Sequence, residues 1–467
     1  MPFLAPATLF ISTAESVTHG DPVAPVLIAL MLIAVGAAIG GHWMKKIGQP
    51  AVLGELLIGM LAANAAYYFR EPIITILREG PTMLSVLNAA LAQNLSLADA
   101  AAKILPPGEH TQRLVDVLGS AAAPMAVSVF LFVDQLSRVA VIILLFLVGL
   151  ETSVKEMGKV GVAAALVAVI GVVCPFLLGV GLMAFLVPDA PLQKDIFIGA
   201  ILTATSVGIT ARVFRDLKQT QRTEAKIILG AAVIDDVLGL IILAVVSGLV
   251  VTGSVSFLGV STITLKAVLF LAVAIGAGMW VTQKMVRRLA RLELENMKLL
   301  FGLGFAFLLS WLANSIGLAT IVGAFAAGLV LEEFFLDELK GHSLRDLLSP
   351  LETLVVPVFF VLMGMQVKLE TFADRQVIVI AALLTVVAIA GKLVAGLGCS
   401  PKLDRLSVGV GMMPRGEVGL IFASIGKGLG VVSDAVFSAV VIMVMVTTLL
   451  APPLLKITLA RSEAHPK

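Results

Sequence analysis

Long apolar runs, separated by short stretches bearing charge, proline or glycine, recur along all 467 residues. A run of about 20 apolar residues matches the hydrocarbon thickness of a bilayer. The pattern predicts spans near 23–43, 50–69, 136–153, 160–187, 194–213, 225–251, 262–282, 299–316, 318–334, 350–366, 376–397, 404–426 and 431–455. The expected fold class is therefore an all-α integral membrane protein of about thirteen transmembrane helices. Residues 70–118 interrupt the pattern. They mix Arg70, Glu71, Arg78, Glu79, Asp99, Lys103, Glu109, His110, Arg113 and Asp116 with Ile73, Ile76, Leu77, Leu84, Leu87 and Leu91 at helical spacing. That mixture predicts amphipathic helices on the outer interface or capping the membrane helices, not a span.

Composition agrees with the pattern: 59% of residues are hydrophobic and 14% charged, against roughly 25% charged in a water-soluble domain. The net charge of +2 carries little information, and no basic tract suggests nucleic acid. Placement of charge is informative. With the N-terminus outside, the inside loops hold Lys45 and Lys46; Lys155 and Lys159; Arg212, Arg215, Lys218, Arg222 and Lys226; Lys284, Arg287, Arg288, Arg291 and Lys298; Lys340 and Arg345; Lys402 and Arg405; and a tail with Lys456, Arg461 and Lys467. That asymmetry predicts an outside N-terminus and a cytoplasmic C-terminus. The stretch before residue 20 has no Lys or Arg ahead of Phe3–Ile11, unlike a signal peptide. Cys174 and Cys399 both fall in apolar runs and are expected to pack as small hydrophobes.

Ionisable residues inside spans are costly and demand a reason. Three places qualify: Asp235–Asp236 in the span 225–251, Lys392 in 376–397, and Pro414-Arg415-Gly416-Glu417 in 404–426. Adjacent aspartates point about 100° apart on a helix, so one can face a cavity while the other faces a neighbouring helix. Burial favours a neutral carboxylate and a nearby positive charge favours an ionised one, so a proton and a dehydrated cation compete for such a site. A purely structural Asp–Lys pair is the bland alternative, and desolvation makes it a poor stabiliser. Span 194–213 is broken by Thr203-Ala204-Thr205-Ser206-Val207-Gly208-Ile209-Thr210, and span 404–426 by Gly409, Gly411, Pro414 and Gly416. Six spans, one linker span and six further spans set these breaks at matching positions of two inverted six-helix repeats, with the broken helices crossing. Arg415 and Glu417 are expected to hold the second break, by pairing across it or with the other crossing helix. Glu55 and Glu151, near span ends, read as interfacial or scaffold residues; His42, beside Lys45 and Lys46, is not expected to sense pH; and Gly426-Lys427-Gly428-Leu429-Gly430 reads as a turn rather than a phosphate loop. No nucleophile–base constellation, cofactor motif or metal-ligand spacing is present, so neither an enzyme nor a cofactor is expected.

The residues 47–55 (Ile47-Gly48-Gln49-Pro50-Ala51-Val52-Leu53-Gly54-Glu55), 145–152, 203–210, the Asp235–Asp236 pair, Gly391-Lys392 and Met412-Met413-Pro414-Arg415-Gly416-Glu417-Val418 occur in an order that resembles the monovalent cation:proton antiporter family, in its bacterial double-aspartate sodium/proton branch. The resemblance implies a homodimer in the bacterial inner membrane, with an elevator-like core moving against a scaffold. It implies Asp236 as the principal cation and proton carrier, Asp235 as partner of Lys392, and Thr205 and Ser206 as further ligands of a monovalent cation held by Asp236 and Asp235. The division then expected is an N-terminal segment 1–22, scaffold 23–153 with the insertion 70–118, core 159–251, linker 262–282, scaffold 299–366, core 376–455 and tail 456–467. Glutathione-gated potassium-efflux relatives commonly carry glutamine where Asp235 stands and add a nucleotide-binding domain; neither is expected here. The paired aspartates and lysine suggest electrogenic exchange of sodium, and of lithium, for protons. Potassium/proton exchange on the same frame is the near alternative. A sodium-coupled organic-anion symporter fits less well, because an anion would prefer fewer buried carboxylates, and a continuous channel fits broken helices poorly.

Overall fold

The computed structural model describes residues 21, 23–105, 108–150, 161–188, 190–206, 210, 214, 219, 222–252, 257–289, 297–338 and 343–464. The expectations for residues 1–20, Glu151, Lys155, Lys159 and Val207–Ile209 fall outside them. The described residues form helices α1 (Ala24–Lys46), α2 (Ala51–Tyr68), α3 (Pro72–Glu79), α4 (Pro81–Gln93), α5 (Leu97–Ile104), α6 (Glu109–Leu118), α7 (Ala123–Leu150), α8 (Val162–Leu186) and α9 (Leu192–Ile201). They continue with α10 (Thr223–Thr252), α11 (Phe257–Leu289), α12 (Met297–Ser315), α13 (Thr320–Glu338), α14 (Leu344–Met365), α15 (Arg375–Ala395), α16 (Arg405–Gly411), α17 (Glu417–Gly428) and α18 (Asp434–Ala464). Among the described residues, 10 helices are long and apolar enough to cross a membrane, and Thr320–Leu331 and Val418–Gly428 are shorter apolar helices.

The thirteen expected spans meet this set with two differences in extent. Helix α7 has 28 residues, about 42 Å at 1.5 Å per residue, and starts at Ala123 rather than near 136 because Asp134 and Arg138 pair along it at 2.8 Å instead of ending it. Helix α18 runs on to Ala464, past the expected end at 455, despite Pro452 and Pro453 inside it. The break expected in span 404–426 is present, as two helices, α16 and α17, with Met412–Gly416 between them.

Packing divides the chain into two units. The first gathers residues 1–47, 51–138 and 357–366. Its membrane helices meet backbone to backbone: a Cβ on Gly54 would lie 1.9 Å from the Gly40 carbonyl oxygen, and one on Gly364 2.1 Å from that of Leu56. Small residues at a crossing are how helices associate where lipid removes the hydrophobic drive. The insertion is helical throughout α3–α6, as its amphipathic pattern predicts. It is stapled to the end of α2. The Arg78 guanidinium sits 4.1 Å from the Tyr67 ring centre and that of Arg113 4.5 Å. Arg78 Nη2 donates to Asn64 Oδ1 at 2.8 Å, and Tyr67 Oη and His110 Nδ1 share a 2.6 Å hydrogen bond. Between α3 and α4 the chain turns at Gly80, at φ 61° and ψ −138°, a conformation that a side chain resists.

The second unit holds residues 48–50, 139–356 and 367–467. Helix α8 packs on α9, α10 and α15; α15 also packs on α18, and α12 on α13. Gly149 of α7 and Gly328 of α13 meet closely, a Cβ on Gly328 lying 2.3 Å from the Phe146 carbonyl oxygen. Cys399 is buried and Cys174 partly so, both as free thiols.

Gly54→Ala must separate α1 from α2. We expect about 2–3 kcal/mol of destabilisation, seen as a lower thermal midpoint of purified protein, whereas Gly48→Ala, with nothing within 4 Å of the added atom, tests the cost of its positive φ alone.

Candidate functional site

Helix α10 carries Asp235 and Asp236 at mid-length, and α15 carries Lys392 near its C-terminal end. The two helices bring them together: Lys392 Nζ lies 3.1 Å from Asp235 Oδ1 and 3.2 Å from Oδ2, with neither side chain exposed. Asp236, the next residue on α10, is 8% exposed. A lysine fully removed from water needs a carboxylate beside it. The carboxylate in turn is held by the lysine through both of its oxygens, with Thr205 beside it.

Thr205 comes from the broken segment after α9. There, Thr203–Ser206 leave the helix and lie against Met412–Gly416, the break between α16 and α17. Ser206 N–H donates to the Pro414 carbonyl at 2.8 Å, and Thr210 Oγ1 to that of Gly411 at 2.7 Å. Thr205 Oγ1 reaches the Met412 carbonyl at 3.5 Å. Arg415 is wholly buried. It donates through Nη1 to the Ala204 carbonyl and through Nη2 to that of Ala388 at 3.2 Å, while the Thr448 hydroxyl donates to the Arg415 carbonyl. Ala388 is one turn before Lys392, so Arg415 ties both breaks to the helix that bears the lysine. Backbone groups freed inside a membrane have to be met by protein, water or an ion, and here side chains and the opposing break meet them.

The structure thus gathers Asp235, Asp236, Lys392, Thr205 and Arg415 in one buried region, with Ser206 joined to it through its backbone. Of the two pairings expected for Arg415, the one with the other crossing helix is present, through the Ala204 carbonyl, with the Ala388 carbonyl as its second partner; the Glu417 side chain lies outside the described residues. Glu55 is buried in α2, 3.7 Å from where a Cβ on Gly41 would sit. The predicted turn 426–430 is narrower than expected, since α17 continues through Gly428 and turns only at Leu429–Gly430.

One charged cluster is not foreshadowed by any sequence motif. Asp434, at the start of α18, receives Lys368 at 2.8 Å and Lys427 at 2.9 Å. The Lys427 ammonium also lies 4.9 Å from the Phe437 ring centre. Both lysines stand at span ends that the charge pattern places outside. A cation against the positive-inside bias is the signal that points to a structural pair.

Opposed charges buried where two interrupted helices cross, inside a bundle of membrane-spanning helices, are the arrangement of an ion-coupled membrane carrier. Sequence similarity makes the class specific: the chain belongs to the monovalent cation:proton antiporter family, its residues 28–461 matching the family described as "Sodium/hydrogen exchanger, transmembrane". It is 38% identical over 480 residues to the high-affinity Na+/H+ antiporter NhaS3 of Synechocystis sp., covering 100% of this chain and 98% of that protein. It is 29% identical over 441 residues to the Na+/H+-K+ antiporter GerN of Bacillus cereus, covering 93% and 96%. The fold is similar to that of the sodium proton antiporter MjNhaP1 of Methanocaldococcus jannaschii, with a TM-score of 0.61 at 17% identity over 93% of this chain and 96% of that one.

Replacing Asp434 by Asn leaves two buried ammonium groups on one neutral acceptor. We expect a loss of about 3 kcal/mol, the low end for breaking a buried pair because the Asp434 side chain keeps 19% exposure, with Lys427→Met partly restoring the thermal midpoint.

Proposed function

We propose that this protein exchanges sodium for protons across a bacterial inner membrane through the Asp235–Asp236 pair. The observation that carries the reading is the wholly buried Lys392–Asp235 contact beside a second carboxylate, at the crossing of two broken helices. Such a site binds a hard monovalent cation through carboxylate, hydroxyl and carbonyl oxygens, or it binds protons. It does not hold both at full strength, and that competition is what couples the two fluxes. In this reading Asp236 is the principal carrier, with Thr205, Ser206 and the unwound backbone completing the oxygen shell. An arriving cation takes Asp235 from Lys392, and a proton leaves. Protons returning to the site expel the cation and free Asp235, as a carboxylate, to re-form the ion pair with Lys392.

Alternating access follows if a core of residues 159–251 and 376–455 moves as an elevator against a scaffold of 23–153 and 299–366, with 262–282 linking the halves. The membrane orientation proposed is N-terminus outside and C-terminus cytoplasmic, from the placement of Lys and Arg. The pairing of two carboxylates with one lysine favours electrogenic exchange, and lithium is expected to share the site. A homodimer is the assembly proposed, from the family resemblance. The name of the Bacillus cereus relative includes potassium, and that favours potassium/proton exchange as the second reading.

In proteoliposomes with an imposed pH gradient, pulses of sodium are expected to dissipate the gradient with wild-type protein and not with Asp236→Asn. Dissipation by potassium alone would replace sodium as the substrate. Equal activity of Asp236→Asn and wild type would remove Asp236 from the mechanism.

A further inference from the structure

We propose that Arg138 of α7 binds the phosphate group of an outer-leaflet phospholipid, with Gln135 beside it. Arg138 stands near the outer edge of the span expected over 136–153, and the residues Val139–Leu150 that follow it carry no polar side chain. An arginine at that end of the helix runs against the bias that gathers Lys and Arg inside. A charge at membrane depth is also costly, so it calls for a partner.

Asp134 meets one edge of the guanidinium and leaves the other. Arg138 Nε donates to Asp134 Oδ2 at 2.8 Å, and among the described residues that is the hydrogen bond Arg138 makes. The Asp134 side chain is 13% exposed and that of Arg138 63%, so the carboxylate is packed inward while the guanidinium reaches out of the bundle. A guanidinium presents its N–H donors in a planar fork. With Nε engaged, the donors on Nη1 and Nη2 remain, and that pair matches two oxygens of a phosphate. Asp134 lies one turn earlier on α7, so the pairing leans the arginine toward the outer end of the helix, where headgroups lie.

The exposed positions around Arg138 select the ligand. From 131 to 138 they are Leu131, Phe132, Gln135 and Arg138, and the one charge among them is positive. Gln135 lies three residues before Arg138 on the same face and adds an amide donor to the fork. Outward of this pair, Leu131 and Phe132 are 37% and 47% exposed; inward, the apolar run 139–150 begins. A polar, cationic spot set in apolar surface suits an amphiphile with an anionic oxygen group, which is what a phospholipid is. Free phosphate has nothing to place against Leu131 and Phe132. A second copy packed α7 against α7 would set guanidinium against guanidinium.

Purified full-length protein in detergent is titrated with lipid, and binding is read by native mass spectrometry and by the thermal midpoint. Four probes separate the sources: phosphatidylglycerol, phosphatidylcholine with the same phosphodiester and no net charge, diacylglycerol without phosphate, and inorganic phosphate. We expect both phospholipids to bind and to raise the midpoint, and the other two to do neither. Arg138→Gln is expected to weaken phospholipid binding about tenfold, as for the loss of one charge-assisted hydrogen bond. Arg138→Lys keeps the charge without the fork; it is expected to bind more weakly than wild type, and it takes the place of the Gln variant should that one fail to fold. Equal phospholipid binding by the variants and wild type overturns the proposal, and a dimer lost in those same variants would assign this face to a second copy. Inorganic phosphate or diacylglycerol binding as tightly as phosphatidylglycerol overturns it as well.

Discussion

An ammonium and a carboxylate with no exposed surface, 3.1 Å apart, impose most of the constraints on the second packing unit. Moving either charge out of water costs several kcal/mol, and their attraction repays it only with good geometry and further hydrogen bonds. The surrounding helices supply both. Helix α8 is apolar along its whole length and offers glycine and proline where Lys392 passes. Helix α15 presents the lysine, and α10 presents the acids. A pair this buried stabilises the fold poorly for what it costs. Its merit is that a change of charge at Asp235 is felt immediately by Lys392.

The two helix breaks answer to the same constraint. Regular α-helices would fill the space beside Asp235 with side chains and keep their carbonyls to themselves. Interrupting the helix after α9, and again between α16 and α17, frees polar backbone at that depth. The hydrogen bonds of Ser206, Thr205, Thr210 and Arg415 to the opposing segments satisfy that backbone without closing it into a helix. Arg415 bonds one break and α15 together, so the lysine-bearing helix cannot shift without pulling on the crossing. The Lys368–Asp434–Lys427 cluster pins the far end of α17 to the start of α18 and to the chain entering α15.

Much of this is legible in the sequence because membranes punish exceptions. Apolar runs mark the helices, and an Asp-Asp doublet, a lone lysine and a Pro-Arg-Gly string inside them stand out as sites. Amphipathic spacing marks the insertion as helical. The start of α7 is harder to place, because Asp134 and Arg138 look like a span boundary until they are seen paired one turn apart. The partners of Arg415 are hidden for a related reason: an arginine near a glutamate suggests an ion pair, while backbone carbonyls, present at every residue, leave no mark in the sequence. The Asp434 cluster joins residues 66 positions apart from Lys368, and no local pattern encodes such a contact.

The most direct test of the central role given to the buried pair is to determine the structure twice by electron cryomicroscopy, in saturating sodium at alkaline pH and without sodium at acidic pH. The proposed exchange requires density for a cation bounded by Asp235, Asp236 and the Thr205 region in the first state, with Lys392 Nζ moved out of contact with Asp235. In the second state the pair is closed as described. A closed Lys392–Asp235 pair in both states, with the cation bound elsewhere, would contradict it.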